Sequence, residues 1–105
     1  MSLNRCEQRI IEYVQAHKEE RQYWELKVRA AAKSYPDDYG ASLALDADLW
    51  AYYVERSQVV EPFMSAAQRE GLRRTSLRNL AEYWLRLWTN PRAKKVSRPG
   101  PESVS

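Results

Sequence analysis

The first third of the chain carries apolar side chains at intervals of three, four or seven residues, which places them on one face of a helix. This stripe contains Leu3, Cys6, Ile10, Val14, His17, Trp24, Val28, Ala31 and Tyr35. The next residues, 36–40, combine a proline, two acids, a tyrosine and a glycine, a composition that favours a turn. The pattern therefore predicts one long helix over residues 3–35, followed by a reversal of the chain.

A second helical pattern follows this turn and predicts a helix over residues 43–60. Its apolar face contains Leu45, Leu49, Tyr52, Tyr53, Val59, Val60 and Phe63. Asp46 and Asp48 suit the beginning of such a helix, because acidic side chains are favourable near a helix amino terminus. Pro62 interrupts the pattern and predicts a new short helix over residues 62–70, with Gly71 as its carboxy-terminal cap.

The third pattern has the clearest separation of apolar and polar faces and predicts a helix over residues 76–89, capped by Thr75 or Ser76. At about 100° per residue, one arc contains Leu77, Leu80, Ala81, Trp84, Leu85, Leu87 and Trp88. The opposite arc contains Arg78, Asn79, Glu82, Tyr83 and Arg86. The apolar arc is expected to face the core, which leaves the polar arc available for binding.

Composition agrees with an all-α fold, because glycine is scarce and no run of alternating β-branched residues predicts a strand. We expect a single helical domain over residues 1–90, built as a long antiparallel helical hairpin followed by a short helix-turn-helix-like pair. Residues 91–105, rich in proline, serine and basic side chains, predict a disordered basic tail. The absence of a long apolar segment predicts a soluble, cytoplasmic protein with no membrane partner.

The hairpin also predicts two side-chain groupings. Arg56 lies on an apolar stripe, at the level of polar residues in the first helix, so we expect it to pair with Glu20 or Glu25. Four further residues lie off the main stripes and need a second surface to bury them: Tyr23, Leu26, Trp50 and Val54. Either the third helix or a second subunit of a homodimer could provide that surface.

No grouping in the sequence predicts an enzyme. The single cysteine and single histidine, Cys6 and His17, would lie about 16 Å apart along one helix, too far for a nucleophile and its base. His17 is more typical of a hydrogen-bonded core or interface histidine than of a catalyst. With one residue of each type, we expect no metal site, and we expect no cofactor.

Charge is distributed unevenly along the chain. Residues 1–68 carry eight basic and eleven acidic side chains, whereas residues 69–98 carry nine basic and two acidic side chains. A net charge of +7 on a segment of 30 residues favours an anionic partner.

The stretch AAQREGLRRTSLR, residues 66–78, has helix, glycine turn and helix character. It resembles the carboxy-terminal DNA-binding segment of Fis-type nucleoid and activator proteins. The matching residues are Ala66, Ala67, Gly71, Leu72, Arg74, Ser76, Leu77 and Arg78. The resemblance implies a helix-turn-helix placed after long dimerising helices. Gln68, Arg69 and Glu70 depart from it, because that family has apolar packing residues at these positions.

Two functions follow from these patterns. In the first, the protein binds nucleic acid, with DNA favoured over RNA. Phosphate contacts would then come from Arg73, Arg74 and Thr75, and base contacts from Arg78 and Asn79 on the polar arc that also carries Arg86. Basic residues that follow the helix would hold the neighbouring backbone: Arg92, Lys94, Lys95 and Arg98. In the second, the protein is a helical adaptor that docks a protein partner through its aromatic surface.

Overall fold

The computed structural model describes residues 2–90 and is all-helical over this range. The five helices are α1 (Arg5–Ala16), α2 (Lys18–Ser34), α3 (Asp38–Arg56), α4 (Phe63–Glu70) and α5 (Arg78–Trp88). The predicted all-α class is therefore confirmed. The expectation of a disordered basic tail over residues 91–105 lies outside the described residues.

The predicted single helix over residues 3–35 is divided into α1 and α2 at His17, whose backbone is extended (φ −125°, ψ 103°). The ring of His17 stacks on Tyr13 with centroids 4.1 Å apart. Its Nδ1 lies 2.8 Å from the Tyr13 carbonyl oxygen. The ring can therefore provide a hydrogen-bond partner for a carbonyl group at the end of α1, where backbone partners are lacking. The break falls where residues 15–22 carry almost no apolar side chain, so packing does not require a continuous helix there.

The antiparallel hairpin consists of α2 and α3. Glu20 faces Tyr52, and Lys27 forms an ion pair with Asp48 at 3.6 Å. α3 begins at Asp38, earlier than the predicted residue 43, because the Asp37 carboxylate accepts a hydrogen bond from the Gly40 N–H (2.8 Å) and caps the helix. It ends at Arg56, before the predicted residue 60.

α4 restarts the helical structure after Pro62, close to the predicted position, and Gly71 ends it as expected. The Gly71 backbone has φ 81° and ψ 169°, a conformation that is essentially restricted to glycine. At the last residue of α4, the Glu70 carboxylate accepts two hydrogen bonds from Arg9 of α1 (3.2 and 3.3 Å). Arg9 also donates a hydrogen bond to the Tyr53 hydroxyl of α3 (2.9 Å). These bonds join α1, α3 and α4.

α5 begins at Arg78, two residues later than predicted, and packs mainly against α3 and α2. The predicted cap by Thr75 or Ser76 is wrong, because Leu77 is at the cap position, although the Ser76 hydroxyl accepts the Arg78 N–H at 3.3 Å. Its predicted apolar arc enters the core as expected at Leu77, Leu80, Ala81, Trp84 and Leu85, all buried. Trp84 lies 5.7 Å from Trp24 of α2 between ring centroids. Leu87 is an exception, because 54% of it is exposed.

The predicted pairing of Arg56 with Glu20 or Glu25 is not formed. Arg56 instead pairs with its neighbour Glu55 (3.0 Å) and lies 5.5 Å from the centre of the Tyr52 ring. The Tyr52 hydroxyl donates a hydrogen bond of 2.6 Å to Glu20. A polar contact between α2 and α3 does exist at this height, but it is formed by Tyr52 and not by Arg56.

The conformation of Gly71 leads to a stability prediction. Gly71→Ala should lower the free energy of unfolding by about 1–3 kcal/mol, because an L side chain is strained at this φ and ψ. Steric contact would contribute nothing, since an added Cβ would meet no atom within 4 Å. Urea unfolding monitored by circular dichroism measures the change. Gly40→Ala is the control, because Gly40 has helical backbone in α3 and an added Cβ would lie 3.4 Å from its nearest neighbours, an ordinary contact distance. Its stability should change by less than about 1 kcal/mol. Equal stabilities of the two variants would contradict the strain.

Tyr52 gives a pH prediction. Burial raises the pKa of its phenol, and the hydrogen bond to Glu20 raises it further. Above about pH 10, the unfolded chain loses this proton while the folded chain retains it, so folded stability falls as pH rises. Between about pH 9 and pH 11, urea unfolding should therefore show a smaller loss of stability in Tyr52→Phe than in the wild type. An identical loss in both proteins would contradict this role of Tyr52.

Candidate nucleic-acid interface

Arg73, Arg74 and Thr75, the residues predicted to contact phosphates, directly precede α5. Two carboxylates from other helices bind the amino-terminal end of this helix. Asp46 of α3 accepts a hydrogen bond from the Leu77 N–H (2.7 Å), and Glu7 of α1 accepts one from the Leu80 N–H (2.8 Å). Helix amino termini attract anions because of their unpaired N–H groups and the helix dipole. At α5, the chain's own carboxylates already use much of that attraction.

Glu7 is completely buried and serves two helices. Its other oxygen accepts a hydrogen bond from the Asn4 N–H, and the Asn4 side chain accepts one from the Glu7 N–H, both at 2.9 Å. These two bonds form a capping box at the start of α1. Asn4 also donates to the Ser76 carbonyl (2.7 Å). The spacing Asn4-x-x-Glu7 is a sequence signal for the start of α1, but no local pattern indicates the bond to Leu80.

Arg74 lies against α3. Its guanidinium is 2.9 Å from the Asp46 carboxylate and 5.4 Å from the centre of the Trp50 ring, and it also donates to the Thr75 carbonyl. The half-buried Thr75 is part of the same contact. Arg74 therefore helps to attach the segment between α4 and α5 to α3, and Thr75 only accepts a hydrogen bond from this neighbour.

The two residues expected to read bases also have partners within the chain. Arg78 forms an ion pair with Glu82 (3.5 Å), and its guanidinium lies 5.2 Å from the centre of the Tyr39 ring. Asn79 donates a hydrogen bond to the Ser2 carbonyl (3.2 Å). A base contact by either side chain would have to replace these interactions.

The other predicted cations differ in position. Arg73 and Arg86 are exposed, as is Arg69 at the end of α4. Arg92, Lys94, Lys95 and Arg98 lie outside the described residues. Residues 71–77, between α4 and α5, form no helix, and this link is longer than the three or four residues of an ordinary helix-turn-helix.

The four residues expected to form an oligomer or partner surface do not share one environment. Trp50 and Val54 are half-buried, and Trp50 stacks on Tyr53 with centroids 5.7 Å apart. Tyr23 and Leu26 remain 52% and 71% exposed on α2, so α5 does not cover them.

The sequence patterns did not identify a groove between the carboxy-terminal ends of α2 and α5. It is lined by Arg29, Ala32, Lys33, Trp88, Thr89 and Asn90. The sequence contains a partial signal, since Trp88 is at the end of the apolar arc and Lys33 is in the last turn of α2. The proximity of these residues depends on how the two helices pack.

Comparison with known proteins finds no matching family model, no similar curated protein and no similar solved structure. None of the five helices in residues 2–90 is long and apolar enough to cross a membrane. In the same range, no group of three or more His, Cys, Asp or Glu side chains is arranged to hold a metal ion.

The double role of Glu7 can be tested by substitution. Glu7→Ala leaves the N–H groups of Asn4 and Leu80 without their acceptor, so the free energy of unfolding should fall by about 2–5 kcal/mol. Glu7→Gln retains one acceptor oxygen and should cost less. The exposed Glu12 on the same helix provides the control, because Glu12→Ala should change stability by less than about 0.5 kcal/mol. Urea unfolding measures all three. If Glu7→Ala were as stable as Glu12→Ala, the bond to Leu80 would not contribute to stability.

Proposed function

We propose that the protein binds nucleic acid through phosphate contacts made by its basic segment, residues 69–98. The observation that carries the proposal is the excess of nine basic over two acidic side chains in this segment. Multiple lysines and arginines on a short segment bind the phosphate backbone by displacing its condensed counterions, which requires no base recognition.

The ion pairs of the segment leave its net charge in place. Glu70 accepts hydrogen bonds from Arg9, a cation outside the segment, and Glu82 pairs with Arg78 inside it. The charge of Glu70 is thus balanced from outside the segment, but so is that of Arg74, which pairs with Asp46 of α3. These two effects cancel, so the segment keeps its positive net charge. Its exposed cations in the described range include Arg69, Arg73 and Arg86.

Base reading by α5 is not part of the proposal. Arg78 and Asn79 have intramolecular partners, and two carboxylates lie at the helix amino terminus, where the Fis-type resemblance would place a phosphate. We therefore expect little sequence preference and a strong dependence on salt.

The second candidate is a helical adaptor. The exposed Tyr23 and Leu26 on α2 favour it, because 52% and 71% of these residues remain exposed within residues 2–90. Such a module would bind its protein partner, or a second copy of itself, through α2.

A salt titration separates the two candidates. Fluorescence anisotropy with a labelled oligonucleotide of mixed sequence should show binding that weakens steeply between about 50 and 200 mM salt. Lys94→Ala with Lys95→Ala should flatten the slope of log affinity against log salt by about 0.7–0.9 for each phosphate that the variant no longer neutralises.

The matched control removes two exposed cations from α2, as Lys18→Ala with Arg21→Ala, and should leave the slope almost unchanged. Equal effects of the two double variants would mean that binding follows total charge and not the basic segment. Absence of binding at about 50 mM salt would reject the proposal and favour the adaptor.

A further inference from the structure

The groove between α2 and α5 has an aromatic floor that the core supports. Trp88, half-buried at the end of α5, stacks on Trp84 with centroids 5.1 Å apart and rings inclined by 26°. Trp84 is buried and in turn contacts Trp24 of α2. The part of Trp88 that lines the groove is therefore held by a series of indole rings that leads into the core.

The sides of the groove are cationic. Arg29 and Lys33 of α2 line it, and no acidic side chain is among the lining residues. Arg29 forms an ion pair with Glu25 at 2.7 Å, and 54% of its side chain is exposed. Lys33 is also exposed. A ligand that enters the groove thus meets an aromatic surface with positive charge beside it.

The most basic part of the chain continues directly from this groove. Asn90 is both a lining residue and the last described residue. Arg92 follows it by two positions, within about 7 Å of chain even when fully extended, and Lys94 and Lys95 come next. Because of this continuity, a polyanion held by the basic segment would pass close to Trp88.

We propose that this groove binds single-stranded nucleic acid, with one base stacked against Trp88 and the adjacent phosphates near Lys33 and Arg29. This inference rests on the nucleic-acid function proposed above and specifies its substrate. Aromatic side chains combined with a positively charged groove form the usual site for unpaired strands, because every base offers a flat π face. In a duplex, those faces are stacked on one another and cannot reach the indole.

The test uses the full chain and four short labelled ligands of equal length: single-stranded DNA, single-stranded RNA, duplex DNA and an abasic DNA strand. The abasic strand keeps the phosphates but lacks bases, so it reports the electrostatic part of binding. We expect both single strands to bind more tightly than the duplex and the abasic strand. The DNA and RNA ligands distinguish the two sources of an unpaired base.

Trp88→Leu keeps apolar bulk against Trp84 but removes the aromatic surface. It should weaken binding of the base-containing single strands by about 5- to 150-fold, the range for loss of one base-aromatic stack, and leave abasic binding unchanged. Its salt slope should equal that of the wild type, whereas Lys33→Ala should flatten the slope by about 0.7. Tyr23→Leu, which removes an exposed aromatic ring elsewhere on α2, is the matched control and should bind normally.

If Trp88→Leu does not fold, as judged by circular dichroism, Trp88→Phe replaces it and should give a smaller loss with the same selectivity for base-containing strands. Equal affinity for the abasic and base-containing strands would overturn the stacking site while leaving the phosphate-binding proposal in place. Tighter binding of duplex than of single strands would have the same meaning. Absence of binding to all four ligands at about 50 mM salt would overturn both proposals.

Discussion

The attachment of α5 to the rest of the fold depends on the completely buried carboxylate of Glu7. Glu7 completes the capping box of α1 with one oxygen and accepts the Leu80 N–H of α5 with the other. The residue at the amino-terminal cap of α5 is Leu77, whose side chain cannot accept a hydrogen bond. The Ser76 hydroxyl accepts the Arg78 N–H at 3.3 Å, and the N–H groups of Leu77 and Leu80 use acceptors from other helices. Asp46 provides the second acceptor, and Arg74 is fixed in the same group. The amino-terminal end of α5 is therefore held by α1 and α3 together.

This arrangement divides the basic residues near α5 into two classes. Arg74 and Arg78 contact carboxylates and aromatic rings of the protein and contribute to its fold. Arg73 is exposed to solvent and contributes to its external field. A count of charges along the chain does not distinguish these classes, because the difference arises from how the helices pack. A sequence-specific interface would need the first class, whereas phosphate binding needs only the second.

Sequence periodicity predicted what depends on local geometry. The face of α5 that contains Leu80, Trp84 and Leu85 is buried as expected, and Gly71 ends α4 because few other residues adopt its conformation. Periodicity did not predict the break at His17, because spacings of three, four and seven residues continue through it. It also did not predict the partner of Arg56, because the choice between Glu20 and Glu55 depends on where Tyr52 places its hydroxyl. The groove at Trp88 was missed for a related reason: two helices that are distant in sequence form it.

The bond between Glu7 and Leu80 also affects the order in which the chain can fold during synthesis. Its two residues are 73 positions apart, so α1 leaves the ribosome well before the N–H that its carboxylate will accept has been made. Until then, Glu7 can be bonded to Asn4 but must keep its second oxygen in contact with water. Closing such a long loop carries an entropic penalty that local helices do not pay, and contacts of this range form slowly. Docking of α5 is thus expected to be a late step, and desolvation of the Glu7 carboxylate accompanies it.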